Sequence, residues 1–549
     1  MDVRTSWVRP PQSVQGLDHL GTHAPCIGLY SRLLPGITNV TDRARYYSLY
    51  PWFIWAFDKR YKDADAAKFE QLFRRADCLL TWVAERHSQC TDGNTAKHAI
   101  AMAGRQKLVP ALAELHGNKT LRISDYATRE PNDRRYFKNR LGGLGQYYIG
   151  TLVHELRILD IGERGWITYT RERGQPMAEA VDSYVGGDKF FAALEKDRVS
   201  GPVLDELERF CFCHLPHSTA EHALLTDLLF ERAGINEAGG QRRLTLALAL
   251  AMVDAASTSQ SDPVTLDDFQ KAAYGRSFGS GRRWEISPHL ESTARAWALY
   301  VRNDLLSIAA QAVFAVGLKQ LDEPGLQMRT GREFEEWVAS SAVVKRTARQ
   351  FKAKSFGEAL RAFQKTLAPV DEWDAPMHEW SFSRSVLDAF TRRPDAHSDS
   401  VVLADSLRLI MALTARTTTE DAYAASPFAR GFLDSYPINL HTFARLASSE
   451  WPKLSIPHLL GWLMNRWGVE THLSVALRKL RNNPQATFRV RPTEAGLRAV
   501  PDIPPPTRTN PRMKQGLQML RDLDAITETN DGSRLTDFGK RMLREVIHA

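Results

Sequence analysis

The sequence predicts a mainly α-helical, multi-domain protein carrying winged-helix-type modules with small β-hairpin wings. Three observations lead there. The chain has 549 residues, too many for one hydrophobic core, which points to three or four domains. Its composition, 43% apolar and 25% charged, is that of an ordinary packed protein rather than a disordered one. Helical periodicity dominates, and two segments read in the order helix, Gly-containing hairpin, helix, which is how a winged helix looks in one dimension.

Taken in order, residues 1–130 form a helical N-terminal domain that opens irregularly. Pro35-Gly36 marks a turn, Thr41 or Asp42 can cap a helix, and six aromatics crowd Tyr46 to Trp55. Helices follow at about 67–88 and 95–116, the second ending near Gly117-Asn118. Residues 131–184 form the first winged-helix-like module: YYIGTLVHELRIL as helix, GERGWITYT as hairpin, RERGQPMAEAV opening the next helix. A helical middle region spans 185–440, with turn signals at Gly239-Gly240, Gly275–Gly281 and Pro324-Gly325. The polar stretch 369–400 reads as a connection between subdomains. The basic C-terminal region, 441–549, contains two helices and a strand (TFRVR) in 455–492. The stiff loop PDIPPPTRTNP follows, then QGLQMLRDLDAI, a hairpin turning at Asp531-Gly532, and DFGKRMLREVI.

Charge directs attention to that last region. The chain carries a net +8, and residues 441–549 hold 17 Lys and Arg against 10 Asp and Glu. A basic module on a near-neutral body is the footprint of a phosphate-backbone binder, though a solvated basic surface gives the same count. On a winged-helix reading, Arg512, Lys514, Gln515, Gln518 and Arg521 sit on or beside the inserting helix. Arg534 lies in the wing and Arg508 enters from the loop. The cations would supply salt-dependent affinity and the glutamines would reach base edges. Many winged helices are instead protein–protein modules.

Two further segments are candidate anion sites. Arg43 and Arg45 stand beside stacked aromatics that could hold a phosphate or an unpaired base; the same pattern also suits a buried core. In YGRSFGSGRRW, Arg276, Arg282 and Arg283 flank glycines that would let backbone N–H groups approach an anion. That loop lacks the Gly-Lys-Ser/Thr ending of a P-loop. Cys211, Cys213, His214 and His217 invite a metal reading, but zinc sites normally split two such pairs across a longer loop, and the sequence shows no second pair. No metal and no cofactor are therefore expected. The His-Glu-x-x-His, Gly-x-Ser-x-Gly and dinucleotide-binding patterns are absent, and nothing in the sequence marks an enzyme.

The segment LLPGITNVTDRARYYSLYPW, with LGGLGQYYIGTL further on, resembles bacterial proteins encoded in mobile-element or phage-defence gene clusters, most strongly over the first 180 residues. The resemblance implies an accessory protein acting on foreign DNA or with a DNA-processing partner. The function expected is a non-enzymatic subunit of an anti-phage defence complex that grips double-stranded DNA and docks other subunits. The alternatives are a kleisin-like scaffold recruiting an ATPase or nuclease, and a nuclease with an unrecognised site. Five scattered cysteines, no apolar run of about 18 residues and no leader-like N-terminus lead to the expectation of a cytoplasmic protein without a membrane contact.

Overall fold

A computed structural model describes residues 18–548, apart from 116–118, 163–165, 232–236, 259–261, 279–281, 323–329, 392–397, 417–432, 434–435, 483–486 and 495. The fold is mainly α, with strands confined, among the described residues, to four two-stranded antiparallel pairs. Two compact units replace the four consecutive blocks expected from sequence, and each is built from two stretches of chain. An aromatic unit joins Leu33–Leu266 to Arg512–Ala549, and a central-helix unit joins Met1–Arg32 to Asp267–Pro511.

In the aromatic unit the helix Tyr46–Arg60 buries every residue from Tyr46 to Phe57. A helix that is apolar all round has to be enclosed on all sides. Gly174–Val185 packs against it, and Ala66–Cys90 meets it through ring contacts of Phe69 and Phe73 with Tyr50 and Phe53. Tyr46 stacks on Tyr50 at 4.8 Å, and Trp52 meets Phe190 edge-on at 5.4 Å while its Nε1 donates to Asp182 at 3.0 Å. The density of aromatics near Tyr46 is therefore core. The helix expected over 95–116 is broken into Thr95–His98 and Arg105–Leu112. Gly104 sits between them at φ +72, where a Cβ would lie 2.7 Å from the Tyr136 ring. The turn signal at Gly239-Gly240 fails for the opposite reason: both glycines lie inside the helix Glu237–Ala256, whose tertiary packing overrides their weak propensity. The signals at Gly117-Asn118 and Pro324-Gly325 fall outside the described residues, as does Gly279–Gly281.

Both helix–hairpin–helix segments have the expected order. The first runs from the π-helical turns Leu144–Tyr148 and Thr151–Glu155 through the pair Leu159–Ile161 and Ile167–Tyr169 into Gly174–Val185. The second runs from Met513–Asp522 through Ile526–Thr529 and Gly532–Leu535 into Asp537–Ile547. In it Thr529 pairs with Gly532 across the Asn530-Asp531 turn, and the Thr536 hydroxyl caps the last helix by accepting from Gly539 N. Helix Glu237–Ala256 packs against Met513–Asp522 and Asp537–Ile547 alike.

The central-helix unit is organised by the helix Pro288–Leu321, 34 residues and so about 50 Å long. By length and composition it could cross a membrane, but 89% of its most apolar window is buried inside the protein. Helices Asp399–Arg416 and Glu379–Thr391 and the π-helical stretch Leu463–Glu470 pack along it. Helix Glu379–Thr391 lies within the stretch 369–400 read as a connection and buries Trp380, Phe382 and Val386. Buried Asp304 accepts from the backbone N and hydroxyl of Thr509, at 2.8 and 2.6 Å, and so pins the proline-rich loop.

The first turn of the last helix fits only a glycine. A Cβ at Gly539 would fall 2.1 Å from the Ala525 carbonyl oxygen, so Gly539→Ala is expected to destabilise the aromatic unit by about 1–3 kcal/mol. Gly150 is helical and meets nothing, so Gly150→Ala is expected to stabilise it by roughly 0.5–1 kcal/mol. Urea unfolding of the two variants should move the midpoint in opposite directions.

Candidate nucleic-acid interface

Arg43 and Arg45 do not face a ligand, which corrects their reading as anion-binding residues. Arg43 Nε donates to both Asp522 oxygens at 3.1 and 3.0 Å, Nη1 to the carbonyls of His98 (3.2 Å) and Ile100 (3.1 Å), and Nη2 to that of Lys97 (3.0 Å). Arg45 holds Glu221 bidentately at 3.0 Å through Nε and Nη2, and donates to the carbonyls of Arg209 (2.8 Å) and Cys211. Both arginine side chains are fully buried. With four of its five N–H groups engaged and its surface enclosed, neither guanidinium is offered to a phosphate.

The helix Met513–Asp522 is likewise turned inward, burying Met513, Gln515, Gly516, Leu517, Met519, Leu520 and Asp522. Gln515 Nε2 donates to Asn39 O (3.1 Å) and Asp42 Oδ1 (3.0 Å), and Gln518 donates to Asp522 at 3.0 Å. Arg521 pairs with Glu528 at 2.5 Å, and Arg512 is half-buried. Only Lys514 and Arg534 among these residues are exposed, and Arg534 lies 3.4 Å from Asp531. This helix docks its own unit instead of presenting glutamines to base edges. Residues 512–549 carry 7 Lys and Arg against 6 Asp and Glu, so the basic excess is not in the last module.

In the central-helix unit Arg276 is half-buried and pairs with Glu291 at 3.2 Å, whereas Arg282 and Arg283 are exposed. Arg508 lies over the Trp380 ring at 4.2 Å and donates to Ser383, so it fixes the loop. The basic excess is here: residues 441–511 hold 10 Lys and Arg against 4 Asp and Glu. They fold as Leu440–Ser449, three consecutive helical segments Ile456–Trp462, Leu463–Glu470 and Thr471–Asn482, and the hairpin Val490–Thr493 with Gly496–Ala499.

That hairpin was not foreseen beyond its first strand, although TFRVR alternates as a strand should. Val490 pairs with Ala499 and Pro492 with Leu497, placing Val490 and Leu497 on the buried side. Period-two alternation then puts Arg489, Arg491 and Arg498 on the other face. Arg491 stands directly opposite Arg498 in the ladder. Like charges so placed repel, by a few tenths to about 1 kcal/mol, unless an anion lies between them. Arg489 has Asp502 at 3.5 Å, but Asp502 is highly exposed and screens it only weakly.

His472 anchors the hairpin. Its Nε2 accepts from Arg489 N at 2.7 Å, and its Nδ1 faces the His19 carbonyl at 3.0 Å, an arrangement open only to the neutral ring. Burial first, then nearby Lys479 and Arg489, lower the His472 pKa to about 4. Burial, with His472, Arg489 and Lys479, does the same for His19.

Comparison with protein-family models, curated proteins and solved structures finds no match for this chain.

Two outcomes follow from these contacts. Asp522→Asn, which strands the Arg43 charge in the core, should cost the aromatic unit about 3–5 kcal/mol in denaturant unfolding. The histidines bind protons more weakly folded than unfolded, so their contribution is complete above about pH 6.5 and lost as pH falls towards 4. Urea unfolding of the central-helix unit should accordingly show a lower midpoint at pH 4.5 than at pH 7.

Proposed function

We propose that this protein is a non-enzymatic nucleic-acid-binding subunit whose gripping element is the basic helix–hairpin region 441–499 of the central-helix unit. The observation that carries the reading is the outer face of the hairpin, with Arg491 opposite Arg498 and Arg489 beside them. Arg491 and Arg498 make no ion pair among the described residues, and a phosphate backbone is what neutralises such a pair. Helices followed by a two-stranded antiparallel wing are the order of a winged-helix module, in which the wing and the preceding helix contact duplex DNA. The helix Thr471–Asn482, which precedes the hairpin in the chain, carries Arg478. Lys514, Arg534, Arg282 and Arg283, although exposed, lie outside this element. The resemblance of residues 33–52 to proteins of phage-defence clusters supports double-stranded DNA as the target and a multi-subunit complex as the setting.

A second reading has its own observation. Leu477 and Leu480 are 58% and 43% exposed and lie one turn apart on the helix Thr471–Asn482. Exposed leucines at i and i+3 form an apolar stripe suited to a partner helix, as a scaffold would use.

Fluorescence-anisotropy titration of labelled duplex DNA at several salt concentrations separates the two. Binding through the hairpin should weaken steeply with salt. The paired change Arg491→Ala and Arg498→Ala should flatten the log–log slope by about 2, near 0.9 for each phosphate contact removed. Binding that ignores these changes, or no binding to duplex at all, would favour the scaffold. In that case Leu477→Asp should abolish co-purification of a stoichiometric partner.

A further inference from the structure

The second ligand pair that the sequence lacked is supplied by the fold. His87, near the end of helix Ala66–Cys90, and His98, which closes Thr95–His98, converge on Cys211 and Cys213. Cys211 joins the 3₁₀ turns Glu208–Phe210 and Phe212–His217, and Cys213 lies in the second of them. One ligand atom from each of the four residues lies within 4.8 Å of the others. His98 Nδ1 is 3.2 Å from Cys211 Sγ, and His87 Nδ1 is 3.4 Å from Cys213 Sγ. A tetrahedral zinc ion with Zn–S of about 2.3 Å and Zn–N of about 2.0–2.1 Å separates its sulfur and nitrogen ligands by about 3.6 Å.

We propose that His87, His98, Cys211 and Cys213 bind a structural zinc ion. Two thiolates and two neutral imidazoles balance the charge of Zn²⁺, and a soft S₂N₂ set at tetrahedral spacing selects zinc over the hard, oxygen-seeking cations. Both imidazoles turn Nδ1 to the cluster and leave Nε2 outward. Asp92 Oδ1 lies 3.1 Å from His98 Nε2, and Glu208 Oε2 lies 3.9 Å from His87 Nε2. A carboxylate close behind a ligating imidazole raises its basicity, and Asp92 is near enough to His98 to do so, whereas Glu208 lies beyond hydrogen-bond reach of His87 and adds only charge. Four protein ligands close the coordination sphere, so the ion ties chain segments together and leaves no open position for catalysis. Cys211 and His98 are buried, while Cys213 and His87 are half-buried. A cleft of about 250 Å³ lined by Asp92, Lys97, Cys213 and Gln518 gives the ion a path in.

The site also explains what Arg43 and Arg45 are doing. Arg43 holds the carbonyls of Lys97, His98 and Ile100, and Arg45 those of Arg209 and Cys211. The two arginines thus grip the backbone of two of the three segments that carry ligands, those of His98 and of Cys211, and zinc would tie both to the helix that carries His87.

The test is the metal content of the full chain purified without added metal or chelator, read by plasma mass spectrometry, followed by exchange into Co²⁺. About one zinc per chain is expected, and Co²⁺ should show a thiolate charge-transfer band with the visible bands of four-coordinate cobalt. Cys211→Ser and Cys213→Ser should lose the metal, whereas exposed Cys90→Ser should keep it. Asp92→Asn should weaken the affinity about 10- to 100-fold. Should the serine variants fail to fold, Cys213→His keeps four ligands and should retain the metal with a weakened charge-transfer band. A chain with native circular dichroism that holds under about a tenth of an equivalent and takes up no Co²⁺ would overturn the proposal. So would an unchanged charge-transfer band in Cys213→His.

Discussion

The aromatic unit depends on buried guanidinium groups that satisfy the carbonyls of irregular chain. A buried carbonyl outside a helix or sheet needs a donor, and an arginine offers five N–H groups in a fixed fork. Arg43 and Arg45 each serve two or three carbonyls and one carboxylate. Arg74 donates to the carbonyls of Ala127, Thr128, Phe137 and Asn139, and Arg242 to those of Pro35, Leu228 and Leu229. These segments lie tens to hundreds of residues apart, so the arginines do what a sheet ladder does in other folds. The charges need counterions in the core. Asp522 and Glu221 provide them, and through Asp522 the last 38 residues become part of this unit.

That arrangement also decides which basic residues are left exposed. Because Asp522, Gln515 and Gln518 are engaged inward, the final helix–hairpin–helix segment is a structural element with almost balanced charge. The cationic surface belongs to residues 441–499, where alternation along a hairpin separates a buried apolar face from an arginine face. His472 joins that hairpin to the N-terminal stretch of the same unit through two backbone hydrogen bonds, which gives the hairpin a fixed base.

What the sequence disclosed was local. Helix Ala66–Cys90 and the Asp531-Gly532 hairpin follow from periodicity and turn chemistry, and they lie where these place them. What it hid was long-range. The RARYY segment reads equally as a stacking platform or a core, and only the carboxylates at 221 and 522 decide. The Cys211–His217 cluster looked incomplete because its partners are 113 and more residues upstream, on a helix end and a short turn with no motif of their own. Counting charge over 441–549 located the basic excess, but it could not show that the chain passes from one unit to the other at residue 512. Gly239-Gly240 misled because a glycine pair breaks an isolated helix but not one held by packing on both sides.

Hydrogen–deuterium exchange of the full chain, with and without duplex DNA, tests this division of labour most directly. Slowed exchange confined to the hairpin strands and the helix Thr471–Asn482, with Met513–Asp522 unaltered, is the predicted result. Protection centred on Met513–Asp522 would contradict it, by returning recognition to a helix whose reading side chains are already committed to the core.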